Sequence, residues 1–121
     1  MAYPAHMRSA YFVLGAFLIA AGILGFFQNP LLGRFPVNTA HNLVHLTSGA
    51  FTLMAAGQGI GEIRIWGKTF GLFYLAVAIA GFVFPGGDLF GVMHLNLADN
   101  LLHLGLSAIF LYYGLLAPPR L

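Results

Sequence analysis

The sequence predicts an all-α fold, a four-helix transmembrane bundle made of two parallel helical-hairpin repeats, and three observations predict it. Hydrophobic residues make up 60% of the chain, charged residues 7%, and the mean hydropathy is +0.87, whereas about a quarter of a soluble domain is charged. Glycine, proline and short polar breaks divide the chain into four helical runs. Finally, one stretch occurs twice: VNTAHNLVHLTSGA at 37–50 and LNLADNLLHLGLSA at 95–108 are identical at seven of fourteen positions with an offset of 58. That offset is about half the chain, the signature of an internal duplication. It gives a single integral membrane domain over 1–121, with repeat 1 at about 8–59 and repeat 2 at about 68–117.

The first helix is expected from Arg8 to Phe27, a run with no charge after the arginine. At about 1.5 Å per residue it crosses ~30 Å of hydrocarbon. It is too long for a cleaved leader, has no small-residue cleavage pattern, and has a counterpart later in the chain. Gly15, Gly22, Ala21 and Gly25 give it small faces for close helix packing. Gln28, Asn29 and Pro30 end it, and the loop to Pro36 carries only Arg34.

Helix 2 is expected over about Asn38–Ala56, followed by a connection in which Gly57, Gly59 and Gly61 mark turns and Glu62, Arg64, Trp66 and Lys68 reach water. Its GQGIGE lacks the preceding strand and the glycine spacing of a phosphate loop. Helix 3 is expected over about Thr69–Phe84, its AGFVF echoing the AGILGFF of helix 1. The loop PGGDLFGVMHL leads to helix 4, about Leu97–Leu116, and PPRL follows.

Two helices per repeat set both repeats the same way round, related by a pseudo-two-fold axis along the membrane normal. Arg8, Arg64, Lys68 and Arg120 then lie on one side and Arg34 on the other. The positive-inside rule places both termini in the cytoplasm. Tyr11, Trp66, Tyr112 and Tyr113 are expected at that same interface. Five scattered basic residues are too sparse for nucleic acid, so the expected partners are the lipid bilayer and other membrane proteins or a second copy. Without cysteine there are no disulfides, thiolate metal sites or iron–sulfur clusters.

Both copies of the repeated stretch carry a polar stripe. Asn38, His41, Asn42, His45, Gly49 and Thr52 fall within an arc of roughly 100° on helix 2; Asn96, Asp99, Asn100, His103, Ser107 and Gly114 do the same on helix 4. Such side chains are costly against lipid and belong inside the bundle. His45 and His103, seven residues past the expected caps, lie roughly 10 Å into their helices.

NxAHNLxHL opening helix 2 and ADNxLHL opening helix 4, in a chain of this length, resemble a family of small bacterial four-pass membrane proteins, domain of unknown function 4383. Asn38, His41, Asn42, His45, Gly49, Asp99, Asn100 and His103 carry the resemblance, which implies a bacterial inner membrane location and no particular activity.

The residues leave several chemistries open. In a structural reading, the cluster is the hydrogen-bonded core of an accessory subunit in a membrane assembly. Asn38 and Asn96 cap helices, Asp99 completes a capping box, Asn42 and Asn100 bond across helices, His41 faces Asp99, and His45 faces His103. In a cofactor reading, His41, His45, Asp99 and His103 hold zinc, copper or iron, with Asn38, Asn42, Asn96 and Asn100 orienting them. Alternatively His45 and His103 are the axial ligands of a haem b. A proton relay or transporter is the remaining class, but the stripes fade after Thr52 and Ser107, as at a dead-end site. Thr47, Ser48 and Ser107 are expected to bond their own helix backbones, which argues against an enzyme. Met93 and His94 belong to a solvated loop.

Overall fold

In the computed structural model, which describes residues 5–116, the chain forms four α-helices: α1 Ala5–Gly25, α2 Thr39–Gln58, α3 Ile60–Val83 and α4 Leu97–Leu116. The α3–α4 loop holds a small antiparallel hairpin, β1 Asp88–Leu89 against β2 Met93–His94. Arg120 and the rest of the PPRL segment lie outside the described residues.

The largest departure from expectation is at α3, which begins at Ile60 rather than near Thr69. The supposed loop between helices 2 and 3 shrinks to Gly59, whose φ of 125° is a conformation open to glycine and rare for other residues. Glu62 in the first turn answers the helix dipole, while Ile63, Gly67 and Gly71, spaced by four, supply the buried face. The charges at Arg64 and Lys68 therefore decorate a helix rather than break one.

That longer α3 also overturns the place expected for Tyr11. Instead of facing an interface, Tyr11 is 0% exposed and its hydroxyl donates to the Ile63 carbonyl at 2.9 Å. Its ring meets Phe110 and Tyr113 edge-on. The first turns of α3, unforeseen as helix, are what cover it.

Helix α1 packs along α2, and α3 along α4; the α2 and α3 backbones approach over a shorter stretch, and α1 meets α4 through side chains, Tyr11 against Phe110 and Tyr113. Glycines set the close approaches. Gly15 lies against the Gly49 backbone, and Gly67 against Gly114. Gly25 is pressed by the Asn42 side chain, and Gly81 by that of Asn100. These contacts align Gly25 with Gly81, 56 positions on, so α1 and α3 keep a different offset from the 58 of the polar stretches. The inner half of the bundle is an apolar core around Tyr11, Leu18, Ile63, Tyr74 and Phe110. Two helices, His6–Gly25 and Ile60–Val83, are long and apolar enough to cross a membrane. Helices α2 and α4 carry the buried polar residues instead.

The two loops are tied by reciprocal bonds. Asn38 caps α2, accepting from the His41 amide at 2.9 Å, and its Nδ2 donates to the Val92 carbonyl in the other loop. Asn96 accepts from the Asp99 amide at 2.9 Å while its Nδ2 donates to the Arg34 carbonyl at 2.7 Å. Each asparagine thus closes its own helix and clasps the opposite hairpin. Replacing Asn96 by Ala should cost about 0.5–2 kcal/mol, the range for a lost cap, with Asn96→Ser, which keeps an acceptor but cannot reach Arg34, falling between. Thermal unfolding in mild detergent measures the series.

Candidate functional site

The repeated motif places three imidazoles together just inside the clasped loops. His41 and His45, one turn apart on α2, share a face; His103 projects from α4. Their ring centroids are 4.5 Å (His41–His45), 5.4 Å (His41–His103) and 6.2 Å (His45–His103) apart. One nitrogen from each lies within 4.8 Å of the others. All three residues are buried, at 3%, 4% and 1% exposure.

These rings are not satisfied by the protein. His41 Nε2, both nitrogens of His45 and His103 Nδ1 are buried without a hydrogen-bond partner. The Pro36 carbonyl lies beside the His41 ring. Leaving a buried polar atom unpaired costs about 1–3 kcal/mol, and four such nitrogens in one place call for something that accepts their lone pairs or supplies protons.

The other members of the stripe are occupied elsewhere. Asp99 is 1% exposed, but its Oδ2 accepts from the Asn96 amide at 3.1 Å, completing a capping box. The structure does not bring its carboxylate into the imidazole group, nor pair it with His41; among the described residues the salt bridge is His94–Asp88 at 3.5 Å, exposed on the small hairpin. Asn42 and Asn100 make no cross-helix bond through Oδ1; both oxygens are unpaired and pressed onto Gly25 and Gly81. That geometry permits weak Cα–H···O contacts and uses the asparagines to lock each hairpin. Asn38 and Asn96 act through the backbone, as caps.

One residue at the site was not foreseen. Tyr74 on α3 is 1% exposed, its ring 5.6 Å from that of His103, and its hydroxyl lies 2.7 Å from Ser48 Oγ. With the α1–α3 offset of 56, its counterpart in the first half is Leu18. A tyrosine replacing leucine in an otherwise apolar helix is the signal that would have found it. Ser48 also donates to the Val44 carbonyl at 2.8 Å, and Thr52 to the Ser48 carbonyl at 2.6 Å. Ser107 differs from expectation, donating to the Gly71 carbonyl on α3 at 2.9 Å rather than to its own helix. No hydroxyl here is set as a nucleophile beside a free base.

An apolar cavity of about 380 Å³ reaches the cluster from the α1 side. His41, His45 and Asp99 stand at its polar end, and Phe17, Ala21 and Leu24 of α1 face Leu102 and Leu106 of α4 across it. Among known proteins, the family described as a domain of unknown function (DUF4383) matches residues 8–116. No curated protein and no solved structure matches the chain.

Proposed function

The chain belongs to the DUF4383 family, a membership that brings no activity with it, and we propose from its own residues that it is a four-pass membrane protein holding a transition-metal ion between His41, His45 and His103. The observation that carries this is the convergence of unpaired, buried imidazole nitrogens within 4.8 Å. Around an ion bound at about 2.0–2.1 Å, nitrogens stand roughly 3.3 Å apart, so rotation of the rings has only a short gap to close. Three neutral imidazoles without thiolate or carboxylate suit zinc, copper or ferrous iron. Three protein ligands leave a coordination position for water or another molecule. Bound there, the ion supplies Lewis acidity or, if copper or iron, electron transfer; the residues of the chain orient and shield it.

Two observations weigh between this and the neighbouring readings. A haem ligated by His45 and His103 needs its wide ring plane to pass between them, and the His41 ring, 4.5 Å from one and 5.4 Å from the other, stands close beside the line that joins them, within the area the macrocycle would cover; a compact ion suits the space better. A relay through Tyr74, Ser48 and Thr52 ends on backbone carbonyls, which supports a closed site over a path. The capping asparagines, Asp99 and the hairpin clasp serve the structural role that an accessory-subunit reading assigns to the whole cluster.

The membrane setting is supported by the exterior. Phe12, Phe17 and Leu24 on α1, Leu72, Ile79 and Phe82 on α3, and Leu101 and Leu115 on α4 are 41–63% exposed. Apolar surface this extensive marks contact with lipid or protein. The buried stripes of α2 and α4 need no contact with lipid, so all four helices can span. Arg8, Arg64 and Lys68 at one end against Arg34 at the other favour cytoplasmic termini, in a bacterial inner membrane.

The test is elemental analysis by plasma mass spectrometry on untagged protein in mild detergent, with an absorption spectrum. The expected result is a near-stoichiometric transition metal without a Soret band. A folded protein that takes up neither zinc, copper nor ferrous iron would sink the proposal.

A further inference from the structure

The cavity that ends at the cluster opens toward the bilayer, and its walls describe what enters. The internal repeat pairs the α1–α4 seam with the α2–α3 seam, yet the α1 and α4 backbones approach less closely than those of α2 and α3, the space between them being bridged by Tyr11 against Phe110 and Tyr113. Along this seam lie two adjoining spaces. The chamber of about 380 Å³ holds His41, His45 and Asp99 at its end; a longer groove of about 980 Å³ continues along α1 and α4 toward Ser9 and Tyr112. Phe17, Leu102 and Leu106 line both. Phe17 and Leu24 are 46% and 51% exposed, so the mouth lies on the surface that faces lipid in the membrane reading.

We infer that this seam admits a neutral, single-chain lipophile from the bilayer, its oxygen-bearing head, an alcohol, ketone or quinone, seated against His41 and His45 and its hydrocarbon tail lying in the α1–α4 groove. The inference rests on the membrane placement and on the cluster being a ligand site; both ring nitrogens of His45 are unpaired, so one remains for the head when the other holds a metal. The chamber has the volume of a small-molecule site, typically about 300–1,000 Å³. It is apolar except at the end where unpaired imidazole nitrogens can hydrogen-bond an oxygen head. Neutrality follows from the lining: among its described residues none is Lys or Arg to meet an anion. A carboxylate or phosphate head would be buried without a counter-charge, which is costly. A pure hydrocarbon would leave the nitrogens unpaired.

The experiment is photolabelling of the full chain in lipid nanodiscs with 1-dodecanol carrying a mid-chain diazirine, mapped by mass spectrometry. Saturable labelling is expected on α1 between Phe17 and Leu24 and on α4 between Leu102 and Ile109, displaced by excess 1-dodecanol but not by dodecane or dodecanoate. Ala21→Phe, which fills the chamber without touching a histidine, should abolish the saturable part. His45→Ala should weaken competition by 1-dodecanol about fivefold, the effect of one buried hydrogen bond. Labelling spread evenly onto Leu72 and Ile79 would overturn the inference. So would equal competition by dodecane or dodecanoate, or exclusion of the label by a second copy cross-linked through the seam. Metal content is measured on the same samples. Saturable labelling of a protein that binds no metal sinks the metal reading alone, and unsaturable labelling of a metal-loaded protein sinks this one alone.

Discussion

His45→Ala should lower the affinity for the bound metal by on the order of 100-fold or more while leaving the metal-free protein almost as stable as before. Mutating a partner that merely orients a ligand typically costs 10–100-fold, so deleting one of three ligands sets a larger loss. The second half of the expectation comes from what His45 lacks. Neither of its ring nitrogens has a hydrogen-bond partner in the fold. Truncation removes packing, but it also removes two buried atoms whose desolvation is uncompensated, each worth about 1–3 kcal/mol, and the two effects oppose each other. A hydrogen-bonded scaffold behaves in the opposite way, losing stability with no change in metal content. Metal titration by competition with a chelator, alongside thermal unfolding of the metal-free form, separates the two. Unchanged metal affinity together with a large loss of stability would defeat the metal centre. His103→Ala should repeat the pattern.

Gly25→Ala and Gly81→Ala should each destabilise the protein by about 1–3 kcal/mol, the usual cost of forcing atoms into a filled core. A methyl group at either position lands on the side-chain oxygen of Asn42 or Asn100. Both asparagines are nearly fully buried, at 2% and 4% exposure, and start one residue after His41 and Asp99. Displacing them shifts the helix turns that aim the imidazoles, so metal affinity should fall as well. Gly57→Ala is the control: nothing lies within 4 Å of the added carbon, and removing a glycine from a helix is neutral to favourable by up to about 1 kcal/mol. Thermal unfolding of the three variants decides the matter; equal effects at Gly25, Gly81 and Gly57 would show that the asparagine contact contributes nothing specific.

Both predictions depend on pairings that a linear reading reaches only in part. The fixed offset in the polar stretches brought His41, His45 and His103 onto one face of each helix, and that grouping survives in the fold. It also suggested symmetry where the fold has little. Asp99 replaces His41 in the second copy, and its carboxylate turns back to the Asn96 amide because a helix N-terminus offers unpaired amides close by. Tyr74 stayed invisible because α1 and α3 are related by an offset of 56, not 58. The segment after Gly59 reads as a loop by its charges, whereas the spacing of Ile63, Gly67 and Gly71 specifies a helix face.

By itself the sequence determined the all-α class, four helices, the caps of α2 and α4 and the polar faces that carry His41, His45 and His103, because these follow from composition, helical period and local capping chemistry. Tertiary structure decided which polar atoms find partners. Capping is local, so Asn96 and Asp99 satisfy one another within one turn; the imidazole nitrogens depend on what two separate helices present to each other, and there the fold presents only more imidazole. It also decided that the backbones of α2 and α3 come closer than those of α1 and α4, which leaves a groove along the second seam. Helix packing depends on the shapes of two facing surfaces, and no single helix carries that information.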